Sequence, residues 1–266
     1  MKPKFQDPQD WSRNVKREHN QDQLGKDAAF RWRGHEISRV EGLSDAVFGF
    51  AVTLLVVSLE VPKTFNELAE IMRGFGAFAI SFALLFGVWF HHYRFFRRYG
   101  LQDTTTVVLS GVLLFVVLFY VYPLKFLFST LAERLMGGHG GVRLPNGNVE
   151  AAMEPGQIAS LMIIFGVGYL AVFAVFFCLF WHAYRKRKEL ELNEFEVFDT
   201  RNSLQEMALH CGIALLSLAT VIIGGPKYAG LSGIIYMLTG VAMGMNGTIM
   251  GRRRRRMARH LTALGE

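Results

Sequence analysis

The fold is decided by residues 39–62, which read Arg39-Val-Glu-Gly-Leu43-Ser44-Asp45-Ala-Val-Phe-Gly-Phe50-Ala-Val-Thr53-Leu-Leu-Val-Val57-Ser-Leu-Glu60-Val-Pro62. The middle of this stretch is apolar and long enough for a helix that crosses a bilayer, which needs about 20 residues at about 1.5 Å each. Ionisable residues stand at both ends, where they are costly to insert and usually serve a function. The stretch therefore predicts a membrane-spanning helix with polar groups at its two edges.

A helical wheel divides this stretch into two faces at about 100° per residue. Ser44 and Asp45 form a polar corner that points away from the other face. We interpret this corner as a bracket that holds the helix against a neighbour, and the other face as a pore lining. Composition alone favours another reading, in which the apolar face packs against lipid or a second helix. That face comprises Ala46, Phe50, Thr53, Val57 and, less centrally, Glu60.

The composition indicates a polytopic membrane protein with polar tails. Hydrophobic residues make up 51% of the chain and charged residues 19%, which is too apolar for an ordinary soluble domain. The net charge is +7. We attribute the excess Lys and Arg to loops held in the cytoplasm and to attraction for anionic membrane lipids, and we expect no nucleic-acid binding.

Six apolar segments follow one another, at about 43–61, 74–92, 105–128, 157–181, 205–223 and 230–250. Links rich in Arg and Lys alternate with links that are poor in them. By the positive-inside rule this alternation places both termini in the cytoplasm and predicts a multi-pass protein of the cell membrane. The fold class that we predict is an all-α membrane protein with six transmembrane helices. Its domains are a polar cytoplasmic tail (1–38), a six-span membrane domain (39–251) and a basic cytoplasmic tail (252–266).

The links carry secondary-structure signals of their own. Residues 64–73 predict a short amphipathic helix on the outer surface. The stretch 130–156 is rich in Gly and predicts an irregular outer loop. Residues 186–204 are highly charged and predict an extension of a helix beyond the membrane before the fifth segment.

The sequence gives no indication of an enzyme, a metal site or a cofactor. It has no Gly-rich phosphate loop, no nucleophile elbow and no His-Glu-x-x-His motif. His91 and His92 are adjacent, so on a helix they point about 100° apart and cannot bind one metal ion together. Cys178 and Cys211 both lie in apolar segments and imply no disulfide framework.

Asp45 needs a partner that a lipid environment cannot supply. An antiparallel pair of the first two segments brings Ser44 and Asp45 level with Trp89, His91 and His92, whose N–H groups could donate to the carboxylate. The sequence leaves the identity of the partner open.

Two charged residues at the ends of the first segment allow two interpretations each. Arg39 is either a positive-inside anchor or part of a salt bridge or inter-subunit contact at the cytoplasmic pore mouth. Glu60 is either an interfacial carboxylate or a group that concentrates cations at the outer mouth.

The run Arg39-Val-Glu-Gly-Leu43-Ser44-Asp45 resembles the Arg-x-x-x-Phe-Ser-Asp signature of the transmembrane protein 175 family, the endosomal/lysosomal potassium channel and its prokaryotic relatives. The continuation to Val61-Pro62 is also similar to the first helix of that family, and so is the run of Trp89, His91, His92 and Arg94. The similarity covers roughly residues 36–98.

The resemblance implies a potassium-permeable cation channel built as a homotetramer of six-span subunits, with membrane lipids around it. It implies that the first helix lines the pore and that no Thr-Val-Gly-Tyr-Gly filter is used. By position in the family, Phe50 falls at the narrowest level, and Thr53, Leu54 and Val57 fall on the next layers.

The chain departs from the family pattern at two positions. Leu43 replaces the Phe of the motif, an exchange of one apolar residue for another. Phe50 is larger than the usual Ile or Leu at the constriction. A ring of Phe side chains could close the pore by dewetting or make weak cation–π contacts with a passing ion.

Two other classes of function compete with the channel. One is a membrane scaffold or regulatory subunit without transport activity, in which the apolar stripes are helix contacts. The other is a secondary transporter or proton pathway that uses Asp45 and the histidines, although the inverted repeats typical of transporters are not visible.

Overall fold

The computed structural model describes residues 30–34, 36–57, 63–135, 141–143, 149–151 and 156–264. Helices dominate these ranges, as predicted. They are α1 (Arg39–Val57), α2 (Phe65–Tyr99), α3 (Thr104–Leu135), α4 (Gln157–Arg185), α5 (Glu194–Gly224), a 3-10 turn (Pro226–Tyr228), α6 (Ala229–Ile235) and α7 (Leu238–Leu264). A two-stranded antiparallel hairpin of β1 (Gly141–Arg143) and β2 (Val149–Ala151) lies between α3 and α4.

Five helical segments in the described ranges are long and apolar enough to cross a membrane. They are Phe75–Tyr99, Thr104–Leu131, Gln157–Arg185, Glu194–Gly224 and Pro226–Arg254. These segments correspond to the second to sixth predicted spans. The α1 helix has 19 residues and ends beside the undescribed stretch 58–62, and it is not among the five. Its role as a span stays a prediction.

Three details of the predicted elements were wrong. Residues 65–73 are not a separate surface helix but the first turns of α2, because a run of good helix formers leads into the apolar segment without a break. The sixth segment is interrupted, because α6 ends at Ile235 and α7 begins at Leu238. The link 130–156 is not wholly irregular, since it contains part of α3 and the β1–β2 hairpin.

Polar side chains fix the starts of three helices. Ser38 and Glu41 form a capping box at α1, in which the Ser38 hydroxyl accepts from the Glu41 amide and the Glu41 carboxylate accepts from the Ser38 amide. Asn193 and Glu196 form a second such box at α5. Asp103 accepts hydrogen bonds from the amide and the hydroxyl of Thr106 at the start of α3.

The core is formed by the faces that α1 to α5 turn towards one another. The α4 helix packs between α3 and α5, and α1 packs against α2 and α3. Aromatic side chains fill the centre, where the Phe95 ring contacts Phe180 edge to face and contacts Tyr99 at a tilted angle. This packing buries one face of α1 against α2 and α3, while the opposite face stays exposed.

Candidate functional site

The α1 helix has one face buried in its own chain and one face exposed. Ser44, Phe48, Ala51 and Leu55 are buried, with exposures between 0% and 3%. On the opposite face Leu43 is 61% exposed and Phe50 is 58% exposed. We use the name α1 stripe for five exposed residues of this face, which are Arg39, Leu43, Ala46, Phe50 and Thr53.

Polar groups are scarce on the α1 stripe. The Thr53 hydroxyl donates to the carbonyl of Phe50 at 2.7 Å, so its hydrogen is used within the helix while the oxygen keeps lone pairs. Leu54 is partly buried and packs against the core, so it lies at the edge of the stripe. Arg39 makes no ion pair with any residue in the described ranges.

Two predicted positions cannot be placed. Glu60 and the side chain of Val57 lie outside the residues that the structure describes. The backbone of Val57 ends α1.

Asp45 and Trp89 are brought together across the α1–α2 pair. The indole Nε1 of Trp89 donates to Oδ1 of Asp45 at 2.7 Å. Ser44 is fully buried, and its hydroxyl donates to the carbonyl of Val40 one turn earlier in the same helix. Of the polar corner, only Asp45 therefore fastens α1 to α2.

The two histidines point away from Asp45 to different neighbours. His92 is buried, its ring lies 6.0 Å from that of Phe48, and its Nε2 is 3.4 Å from the Ser110 hydroxyl of α3. His91 faces α4, with its ring 5.7 Å from that of Phe176. Neither histidine hydrogen-bonds to the Asp45 carboxylate, which takes Trp89 instead.

A second hydrogen bond holds α1 in position, and it was not predicted from the sequence. The ammonium group of Lys125 on α3 donates to the carbonyl of Leu55 at 2.8 Å, in the last turn of α1. A cation at this position also complements the partial negative charge of a helix C-terminus. The available signal was a Lys in an otherwise apolar segment, since such a residue needs a polar partner.

Four helix termini meet at one end of the bundle, which we call the basic end. They are the start of α1, the end of α2, the end of α4 and the start of α5. Residues 30–34 lie across the basic end as a strap. The side chain of Phe30 is buried against Tyr99, and the guanidinium of Arg98 lies 5.0 Å from the Phe30 ring. The amides of Arg33 and Gly34 both donate to the carbonyl of Arg97.

The strap is locked by a fully buried carboxylate on α5. Glu196 accepts two hydrogen bonds from the Arg33 guanidinium, at 3.1 and 2.7 Å. It also accepts from the amides of Arg31 and Asn193, at 2.8 and 3.0 Å. Donors on every side satisfy a charge that burial alone would disfavour.

A close backbone approach requires glycine in the strap. A Cβ at Gly34 would lie 2.6 Å from the carbonyl oxygen of Phe96. Gly100 follows α2 with a φ of +59°, in the left-handed region, where it passes the backbone of Arg33.

Asp103 forms a separate polar cluster at the basic end. One carboxylate oxygen is 2.6 Å from Nε2 of His182 and 3.2 Å from Nζ of Lys186. Burial acts to raise the pKa of Asp103, but the hydrogen bonds from Thr106, His182 and Lys186 outweigh it and hold the pKa well below its usual range. Hydrogen bonds to Glu189 and Asp103 raise the pKa of Lys186.

The described residues give no structural basis for a metal centre. Within those ranges, no three His, Cys, Asp or Glu side chains are placed to share a metal ion. The arrangement that stands out is instead an exposed, mostly apolar helix face held in position from behind at two points.

Comparison with known proteins shows which proteins the chain resembles. The family described as endosomal/lysosomal potassium channel TMEM175 matches residues 39–120, which cover α1, α2 and much of α3. A potassium channel of Marivirga tractuosa is 40% identical over 237 residues, which are 88% of this chain and 96% of that one. A potassium channel of Chamaesiphon minutus is 30% identical over 138 residues, 49% of this chain and 63% of that one.

A solved structure agrees with these relatives. The crystal structure of a variant of the potassium channel MtTMEM175, in complex with a nanobody–MBP fusion protein, superposes with a TM-score of 0.73 at 40% identity. The match covers 86% of this chain and 100% of that chain. The chain is therefore a multi-pass membrane protein of the TMEM175 potassium channel family.

Proposed function

We propose that this chain is the subunit of a homotetrameric, potassium-permeable cation channel in the cell membrane, with a pore lined by α1. The relatives named above are potassium channels, which supports the ion and the activity. The basic end would face the cytoplasm, together with both termini, in keeping with the positive-inside rule.

The α1 stripe is the observation that carries the proposal. Its residues are exposed in the single chain, although the same helix is buried on its other face and fastened through Asp45 and Leu55. In an assembly of subunits around a central axis, the α1 stripes of the subunits would face one another. A narrow lumen with apolar walls would result, and such a lumen gates by dewetting.

Phe50 is the proposed constriction. Its ring is exposed near the middle of α1, and the same side of the helix carries smaller residues at Ala46 and Thr53.

Other residues of the first segment would form the rest of the pore. The Thr53 oxygen and, at the outer mouth, Glu60 would attract cations, while Leu54 and Val57 would complete the wall. The motif residues Arg39 and Leu43 would line the cytoplasmic entrance.

The test is a potassium flux assay on the purified full-length chain in liposomes, alongside the Phe50→Ala variant. We expect a potassium gradient to drive flux, and we expect more flux in Phe50→Ala, because a smaller side chain lets the constriction hydrate. Phe119→Ala is the matched control, since Phe119 is 71% exposed but lies on α3.

The outcomes separate the channel from its main competitor. The mass of the purified assembly shows whether the protein under test is a tetramer. A tetramer that gives no flux either as the native chain or as Phe50→Ala would favour a scaffold or regulatory subunit. Equal flux in Phe50→Ala and the native chain would remove Phe50 from the constriction.

A further inference from the structure

A cavity of about 240 Å³ lies inside the subunit, between α2, α3, α4, α5 and α7, and apart from the α1 stripe. Its walls are mainly apolar and aromatic, with Val117 and Tyr120 of α3 facing Phe165 and Phe173 of α4. Leu84 at its edge is 42% exposed, so the cavity reaches the surface of the subunit. For scale, an engineered apolar cavity of about 150 Å³ binds benzene.

Two histidines bring polar atoms to these walls. His210 shares a hydrogen bond of 2.6 Å with the hydroxyl of Tyr169 through Nδ1 and stacks on the Phe173 ring at 3.9 Å. This leaves Nε2 as its remaining polar atom. No hydrogen bond joins the His91 ring to any other residue in the described ranges.

An imidazole carries at least one N–H donor, and its neutral form also offers an acceptor nitrogen. A polar group away from water is costly when it lacks a partner. The cavity therefore combines a space for an aromatic ring with a hydrogen-bonding group that the protein itself does not satisfy.

We propose that this cavity is a binding site for a small neutral phenol with a short substituent, whose hydroxyl would bond to His91 while its ring lies among the aromatic walls. The proposal does not depend on ion conduction. It concerns a site within each subunit, behind the helix that we assign to the pore.

Glycine positions allow a matched test of the site. Gly87 lines the cavity, and no heavy atom lies within 4 Å of the place where its Cβ would stand. Gly111 on α3 has the same free space but does not line the cavity. The same Gly→Phe substitution can therefore be made with and without an effect on the cavity.

The experiment is a titration of para-trifluoromethylphenol into the purified full-length protein in lipid nanodiscs, followed by fluorine NMR and corrected with empty nanodiscs. We expect saturable binding that Gly87→Phe weakens by at least about tenfold, because the added ring takes space that the phenol needs. Gly111→Phe should bind like the native chain. Absence of saturable binding, or the same affinity in all three proteins, would overturn the proposal.

A second variant tests the role of the imidazole independently of Gly87. His91→Leu should lower the affinity for the phenol by about fivefold through loss of a hydrogen bond. It should leave the affinity for para-trifluoromethyltoluene, which has no hydroxyl, unchanged. An equal effect on both probes, or on neither, would contradict recognition of the hydroxyl by His91.

Discussion

Asp45 accepts the hydrogen bond that ties α1 to α2, and it does so from an indole rather than from either neighbouring histidine. The choice follows from helix geometry. Residues 89 and 92 are three positions apart and lie on the side of α2 nearest to α1, while His91 is turned towards α4. Of the two residues on that side, His92 lies in the buried layer against Phe48 and Ser110, which leaves Trp89 to reach the carboxylate.

Asp45→Asn and Trp89→Phe should each lower the yield of assembled protein, and the double variant should be little worse than either single one. A neutral amide accepts the bond more weakly, and Phe has no donor. We expect a coupling of about 1 kcal/mol from a double-mutant cycle on thermal stability.

The control for this cycle is Trp181→Phe, because Trp181 is exposed and stacks on Phe177 without contacting Asp45. Additive effects would mean that the two residues do not act together. A fully assembled Asp45→Asn variant with altered ion selectivity would contradict the bracket interpretation.

The stabilisation that the Asp103 cluster gives to the folded protein should persist at moderately acidic pH. The pKa of this carboxyl is lowered in the folded protein, so its stabilising effect is present above the unfolded value of about 4 and is lost only as the pH falls through the lower folded value. Asp103→Asn, which keeps the helix cap, should cost about 1 kcal/mol both at neutral pH and at about pH 5. Thermal unfolding of both proteins at the two pH values checks this. A difference that disappears at the lower pH would contradict the assignment.

At the scale of elements, the 30–34 strap joins the end of α2 to the start of α5 through a single buried charge. Arg33→Met should destabilise the protein by about 3 kcal/mol, because Glu196 would lose two donors while remaining buried. The midpoint of thermal unfolding measures the effect.

Arg31→Met is the matched control for the strap. Arg31 contacts Glu196 through its backbone amide, which the substitution retains, and its side chain is exposed. Equal shifts in the two variants would mean that the Arg33–Glu196 pair contributes nothing specific.

The elements that depend on local signals could be predicted from the sequence. Five apolar segments fall on helices of matching position, because a helix that buries its backbone in lipid must be continuously apolar. The cap at Ser38 and Glu41 corresponds to a Ser-x-x-Glu pattern, which is a local signal of a helix start. The break between α6 and α7, at residues 236–237, was not predicted because it stands within an apolar stretch and carries no Gly-Pro signal of its own.

Features that depend on distant residues were not predictable. The strap pairs Arg33 with Glu196 across 163 positions, and Lys125 reaches a backbone carbonyl 70 positions away. A backbone carbonyl has no identity in the sequence, and many Arg and Glu residues could have paired. The polar nature of the Asp45 contact was predicted, but its choice of Trp89 required the structure.

At the scale of the whole molecule, large apolar surfaces remain exposed in the single chain. Phe115 and Phe119 on α3 are exposed by 72% and 71%, and Ile223 at the end of α5 by 86%. Surfaces of this kind belong against lipid or another subunit. The α1 stripe differs from them because its helix is held from behind at two points, by the Asp45–Trp89 hydrogen bond and by the hydrogen bond from Lys125 to Leu55.

The basic end gives the molecule a charge asymmetry. The Arg252–Arg256 run, which we predicted as a tail, lies within α7, and Arg254 pairs with Asp199 of α5 at 2.9 Å. Arg252, Arg253 and Arg256 are exposed, and each would favour contact with anionic lipid by about 1 kcal/mol.

The measurement that tests the central claim most directly is block of potassium flux by a charged, membrane-impermeant methanethiosulfonate reagent. The Thr53→Cys substitution is made in a protein whose Cys178 and Cys211 are replaced by Ser. Residue 50 is either Phe or Ala in that protein, whichever gives the larger potassium flux. Thr248→Cys is the control, because Thr248 is also exposed and its hydroxyl bonds three residues back, to Met245. If α1 lines the pore, the reagent blocks flux through Thr53→Cys and leaves Thr248→Cys unchanged. Modification of Thr53→Cys with no loss of flux would place the conduction path elsewhere.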